Sequence, residues 1–162
     1  EIGVRLVGSE MCIRDRLYTG PHRKEEKERD IGAKYVDLDT LLKNADFITI
    51  NAAYNPSLHH MIDTEQFNKM KSTAYLINAG RGPIVNEQAL VEALDNKAIE
   101  GAALDVYEFE PEITDALKSF KNIVLTPHIG NATFEARDMM AKIVANDTIK
   151  KLNGDEPQFI VN

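Results

Sequence analysis

Short apolar runs separated by amphipathic stretches organise this chain. The runs near 16–19 (RLYT), 33–36 (AKYV), 47–51 (FITIN), 73–78 (TAYLIN), 101–106 (GAALDV) and 122–126 (NIVLT) read as strands. Most are apolar on both faces, the pattern of parallel strands covered on two sides. Between and after them the apolar spacing lengthens to that of a helix, over 23–31, 38–44, 64–71, 86–96 and 132–152, most clearly in LVEAL and MMAKIV. Asp37, Asp63 and Asn131 stand where helix starts want a side-chain acceptor. Strands alternating with helices predict βαβ units, and hence an α/β fold with a doubly wound parallel sheet.

Polar groups placed just beyond these strands carry the chemistry. Arg81 follows TAYLINAG, Glu110 follows GAALDVYEF and His128 follows NIVLTP. In open α/β sheets ligands collect beyond the carboxyl ends of the strands, so three reactive side chains there suggest one site. A guanidinium that grips a carboxylate, a carboxylate that biases an imidazole and an imidazole that trades a proton suit the interconversion of 2-oxo and 2-hydroxy acids. Each residue also has a plainer reading: Arg81 as a turn before a helix, Glu110 as a solvated loop acid, His128 as a packing or capping group. Asp105 ends an apolar strand and could equally cap a turn. Glu108 and Glu112 are read as solvated acids.

Composition narrows the function. The 162 residues are 43% hydrophobic with a formal net charge of -7, enough for one compact core and opposed to phosphate-backbone binding, so no nucleic acid partner is expected. No run has the length and apolarity of a membrane span, and no signal-peptide pattern opens the chain; a soluble, cytoplasmic, small-molecule protein is the expectation. Cys12 is the single cysteine, and no Cys/His cluster has metal-ligand spacing, so no metal site is expected. His59 and His60 lie in the NPSLHHMID connection with no evident partner ligand and are read as surface or packing residues.

The opening EIGVRLVGSEMCIRDR departs from the scheme. A nucleotide-binding domain should begin with a strand, a glycine-rich turn and a helix whose backbone N–H groups hold pyrophosphate. Gly3 and Gly8 are present without GxGxxG, and the stretch from Gly8 to Leu17 is too short for a parallel crossover. Residues 1–16 are read as a foreign or non-native segment, 17–152 as a partial dinucleotide-binding domain, and 153–162 as a return segment toward another domain. In a doubly wound sheet the missing strand is central; either residues 1–8 fill its place as a surrogate strand or the two halves are poorly joined with exposed edges. Little or no nucleotide affinity is expected of the chain as written.

From about Leu17 onward, LYTGPHRKEE, VDLDTLLKNADFITI, MKSTAYLINAGRGPIVNEQALVEAL, GAALDVYEFEP and LTPHIGNAT resemble the cofactor domain of the D-isomer-specific 2-hydroxyacid dehydrogenases. LYTG and the closing IVN look most similar to the glyoxylate and hydroxypyruvate reductase branch. The resemblance implies a Rossmann-like sheet lacking its first βα unit. It also implies a fragment of an enzyme that moves hydride between a nicotinamide cofactor and a small 2-oxo acid. Arg81 would bind substrate, Glu110 would raise the pKa of His128, and His128 would be the acid. Ala79, Gly80, Asp105 and Gly130 would contact the cofactor, with Gly80 and Gly82 letting backbone approach the nicotinamide. The family often has proline at Ala53, which leaves the contacts of that loop open.

Cofactor choice should be written beyond RLYT, where an acid would select the ribose hydroxyl of NAD. The chain offers Thr19, then His22, Arg23 and Lys24, which favours NADP(H) with NAD(H) as the alternative. The competing explanation is that RKEEKER is a solvated helix face. A homodimer is the resemblance's implication for the complete protein. The other functional readings are a nucleotide-sensing corepressor of the same superfamily and a non-catalytic module.

Overall fold

The computed structural model describes residues 3–5 and 15–160, which form two units, Glu1–Pro127 and His128–Asn162. The first unit holds a seven-stranded sheet in the order β3-β2-β1-β4-β5-β6-β7. Its strands are β1 (Gly3–Arg5), β2 (Arg16–Thr19), β3 (Ala33–Tyr35), β4 (Phe47–Asn51), β5 (Tyr75–Asn78), β6 (Gly101–Leu104) and β7 (Ile123–Leu125). The β2–β3 pair and the run β4 through β7 are parallel, as the double-sided apolar pattern requires. The surrogate strand anticipated from the opening residues is present as β1, between β2 and β4. It pairs antiparallel with both, at Val4↔Thr19 and Val4↔Ile50, where a doubly wound sheet would have a parallel strand.

Helices α1 (Glu25–Ile31), α2 (Leu38–Asn44), α3 (Thr64–Lys69) and α4 (Glu87–Asp95) connect these strands. Local chemistry sets their starts. Asp37 caps α2 by accepting the Thr40 N–H at 2.8 Å, and Asp63 caps α3 by accepting the Thr64 N–H at 2.6 Å while Gln66 reaches back to the Asp63 N–H at 3.2 Å. Asn86 caps α4 through the Gln88 and Ala89 N–H groups. Leu41, Leu42, Ile48, Ile50, Phe67, Leu76, Leu90 and Leu104 are buried in one core between sheet and helices. Three short 3-10 segments that the sequence pattern does not signal lie in the connections, at Pro56–Leu58, Gly82–Ile84 and Asp115–Ser119.

The second unit is built on α5 (Phe134–Leu152). Its cap is Thr133, whose hydroxyl accepts the Ala136 N–H at 3.1 Å; the expected start at Asn131 falls before it. Thr133 wins because it alone is one residue outside the helix in extended backbone, where its oxygen can reach the free N–H groups. After Gly154, at φ 84, the chain folds back along α5, and the Asp147 carboxylate accepts the Gln158 and Phe159 N–H groups at 2.9 Å each. Those two hydrogen bonds hold the Asp147 carboxyl below the usual carboxylate range.

Candidate active site at the carboxyl ends of the strands

The end of β5 is shaped by a residue that the sequence reading did not single out. Asn78 is 1% exposed; its side chain donates to the Arg81 carbonyl at 3.1 Å and accepts the Gly80 N–H at 3.1 Å. These two bonds fold Asn78-Ala79-Gly80-Arg81 into a tight turn. A Cβ at Gly80 would stand 2.9 Å from the Ala52 carbonyl oxygen, so only glycine passes there. A Cβ at Gly82 would stand 1.8 Å from the Tyr107 carbonyl oxygen. The space these glycines free is taken by the chain's own backbone, the Ala52 carbonyl at Gly80 and the Tyr107 carbonyl at Gly82. Arg81 and Ala79 are exposed beyond the turn, and the Arg81 Nη1 donates to the Gly80 carbonyl at 2.7 Å.

Gly82 brings the Arg81 turn against the segment that follows β6, which carries Asp105 and Glu110. Asp105 donates its N–H to the Asn78 carbonyl at 3.0 Å and its carboxylate accepts the Thr126 hydroxyl at 2.5 Å, tying the ends of β5, β6 and β7 together. The buried Tyr107 hydroxyl donates to the Thr126 carbonyl at 2.8 Å, and burial is the main reason its pKa lies above that of an ordinary phenol. Glu110 is exposed, and its Oε1 accepts the Tyr107 N–H at 3.0 Å.

Behind this loop lies a second polar cluster. Glu87, in the first turn of α4 and 2% exposed, accepts the Glu108 N–H at 2.7 Å and the Thr114 hydroxyl. Glu108 turns inward, its side chain 11% exposed, and its Oε1 lies 2.6 Å from His60 Nε2. Both readings of these residues are corrected: Glu108 is not a solvated acid, and the His59–His60 pair does have a partner. The partners are 48 positions apart, and only the packing of the connection after β4 against the loop after β6 joins them.

His128 opens the second unit, just after β7, exposed and with φ 53; Gly130 follows, also exposed. Thus Arg81, Glu110 and His128 come, in chain order, after three strands that are neighbours in the sheet.

At the other end of the sheet, Thr19 closes β2 half-buried, and His22, Arg23 and Lys24 are exposed. Arg23 forks onto Glu28 of α1, at 2.8 and 3.0 Å, and Tyr18 donates its hydroxyl to the same carboxylate at 2.7 Å. The bond from Arg23, then that from Tyr18, holds the Glu28 carboxyl low, and Glu28 in turn raises the Arg23 pKa. Within RKEEKER the pairing therefore joins Arg23, which precedes α1, to Glu28 on the helix five positions on, and is not the i,i+4 pairing of a helix face. No acid follows Thr19 within the turn.

Residues 5–130 match the profile of the D-isomer specific 2-hydroxyacid dehydrogenase, NAD binding domain. The chain belongs to this family. Over 99% of its length it is 89% identical to a Staphylococcus epidermidis protein provisionally named a 2-hydroxyacid dehydrogenase, of which it covers 53%. The fold also superposes on the D-lactate dehydrogenase of Lactobacillus jensenii with NAD+ (33% identity, TM-score 0.78, 90% of this chain and 48% of that one). It superposes likewise on the NADPH-dependent glyoxylate/hydroxypyruvate reductase of Sinorhizobium meliloti in complex with NADP and malonate (30% identity, TM-score 0.80, 88% and 44%). The chain spans about half the length of the family relatives it matches. The sheet is the Rossmann-like core of the family's NAD-binding domain. Among the described residues no helix is long and apolar enough to cross a membrane.

The donor set suits a dinucleotide at its two ends. Asp105 offers a carboxylate beyond β6 where an amide could donate, and His22, Arg23 and Lys24 offer cationic or donor groups beyond β2. For the pyrophosphate between, the sequence supplies no GxGxxG.

Proposed function

We propose that this segment is the cofactor half of an oxidoreductase that reduces a small 2-oxo acid of the glyoxylate or hydroxypyruvate type. The observation that carries the reading is the succession of Arg81, Glu110 and His128 after the adjacent strands β5, β6 and β7 of a sheet that belongs to this family. Arg81 holds the substrate carboxylate with its planar donor fork. His128 delivers a proton to the carbonyl oxygen, and takes it back in the reverse direction, a contribution typically of about 10² to 10⁴ in rate. Glu110 supplies the carboxylate of the set, the role the family resemblance gives it. The cofactor, when bound, supplies the hydride. Ala79, Gly80, Asp105 and Gly130 line its nicotinamide end, and Thr19, His22, Arg23 and Lys24 its adenosine end.

The lack of an acid after Thr19 supports NADP(H) over NAD(H). The fork of Arg23 onto Glu28 tempers that preference, because the same guanidinium must turn from a carboxylate to a phosphate. A cytoplasmic homodimer is the assembly we infer for the complete enzyme. The family assignment does not favour the corepressor reading.

The test is turnover by a full-length protein that carries this segment from Leu17 onward, with glyoxylate, hydroxypyruvate and pyruvate offered against NADPH and NADH. Arg81→Gln should raise KM for the 2-oxo acid and lower kcat, and His128→Asn should lower kcat by about 10² or more. Absence of turnover on all three acids with either cofactor refutes the reading.

A further inference from the structure

Beside the carboxyl-edge residues, on the loop that also carries Glu110, the fold brings two imidazoles and one carboxylate together. One ligand atom each from His59, His60 and Glu108 lies within 4.8 Å of the others. The two rings are 3.9 Å apart between centroids and inclined at 45°, and His60 Nε2 is 2.6 Å from Glu108 Oε1. His60 is fixed by its backbone: its N–H donates to the Pro83 carbonyl at 2.8 Å, and its φ of 51 lies in the left-handed region that a non-glycine residue adopts only when its surroundings compel it. Glu108 is fixed by its own N–H, bonded to the buried Glu87 at 2.7 Å. His59, exposed at the mouth of the cluster, is the adjustable member.

We propose that His59, His60 and Glu108 bind a divalent transition ion of the Zn2+ class. Two neutral imidazoles and a carboxylate are a donor set that such ions take, at about 2.0 to 2.2 Å from each ligand atom, with a fourth position left for water. Ligand atoms around a tetrahedral ion at that range stand roughly 3.3 Å apart, so the His60–Glu108 pair opens slightly and His59 swings inward. The ion takes the place of the direct His60–Glu108 hydrogen bond, with the neutral His60 ring carrying its N–H on the nitrogen that faces away from the ion. Glu87 is the outer-sphere group that keeps Glu108 aimed, the arrangement by which metal sites fix their ligands. Bound there, the ion clips the connection after β4 to the loop after β6.

Isothermal titration of the full chain, stripped with chelator and titrated with Zn2+ alone, tests this, with a Cys12→Ser version run alongside to remove the thiol. The expected result is one equivalent taken up in both, with affinity reduced by about tenfold or more in His59→Asn and in Glu108→Gln, and unchanged in Glu112→Gln. His59 is exposed, so His59→Asn should leave the fold intact, which thermal melts in the absence of metal verify. Uptake by either single variant as tight as in the parent overturns the three-ligand site, and so does no uptake by the parent above that of the His59→Asn/Glu108→Gln double variant.

Discussion

At the scale of single residues, the side chains that hold the carboxyl edge together are less conspicuous in the sequence than those proposed to react. Arg81, Glu110 and His128 stand out because each follows an apolar run, and that placement is readable without coordinates. Asn78 does not, because a polar residue ending a strand looks like any other until its two bonds across the turn are seen. Asn78→Ala should strand the Gly80 N–H, which sits at a buried residue, at a cost of about 1–3 kcal/mol, seen as a lower midpoint in urea with unchanged m. Glu87 was likewise silent: in sequence it is an acid in a first helical turn, and only the fold reveals that it accepts from Glu108 and Thr114. Glu87→Gln keeps an acceptor oxygen and should be milder than Glu87→Ala, which leaves both donors unmet; denaturant titrations that rank the two equally would show that the bonds do not matter.

At the scale of elements, legibility follows how local the cause is. The range of α2 is set by the Asp37 cap at one end and by the paired leucines of the core face, all inside seven residues, and 38–44 was readable as it stands. The strands from β5 onward are shorter than the runs read from the sequence, because the ladder ends before the flanking residues, of which only Ala74 and Val106 are buried and apolar. Caps give a further prediction. Asp63 accepts from Thr64 and from the Asn86 side chain, linking the starts of α3 and α4, and the Thr64 N–H is the main reason its carboxyl stays below the usual range. Asp63→Ala should cost about 1 kcal/mol at neutral pH. A lowered folded pKa means that the stabilisation is fully present above the unfolded value of about 3.9 and is lost as pH falls through the folded value. The gap in melting temperature between parent and Asp63→Ala should therefore be widest at pH 7 and narrow below about pH 4; a gap that stays constant across that range would assign the loss to something other than the carboxylate.

At the scale of the whole molecule, the sheet is continuous because β1 fills the central position, and the direction in which β1 runs decides what that position can do. In a doubly wound sheet the central strand is parallel to its neighbours, so that its carboxyl end delivers a glycine-rich turn and a helix start to the edge where the other strands end. An antiparallel β1 pairs with the last two residues of β2 and of β4 but sends its carboxyl end to the opposite edge. Together with the absence of GxGxxG from the sequence, this removes the strongest anchor for a pyrophosphate while leaving in place the residues suited to the two ends of a dinucleotide. Each end alone offers a few hydrogen bonds and an exposed cation or two, which compete with water and contribute little. The chain should accordingly show no rise in melting temperature with 1 mM NADPH or NADH, a concentration at which even a dissociation constant of about 10 μM would stabilise the fold by about 2.7 kcal/mol, several degrees for a domain of this size. A shift of that size, abolished by Arg23→Gln or Asp105→Asn, would mean that the two ends suffice and that the pyrophosphate turn contributes far less than its geometry implies.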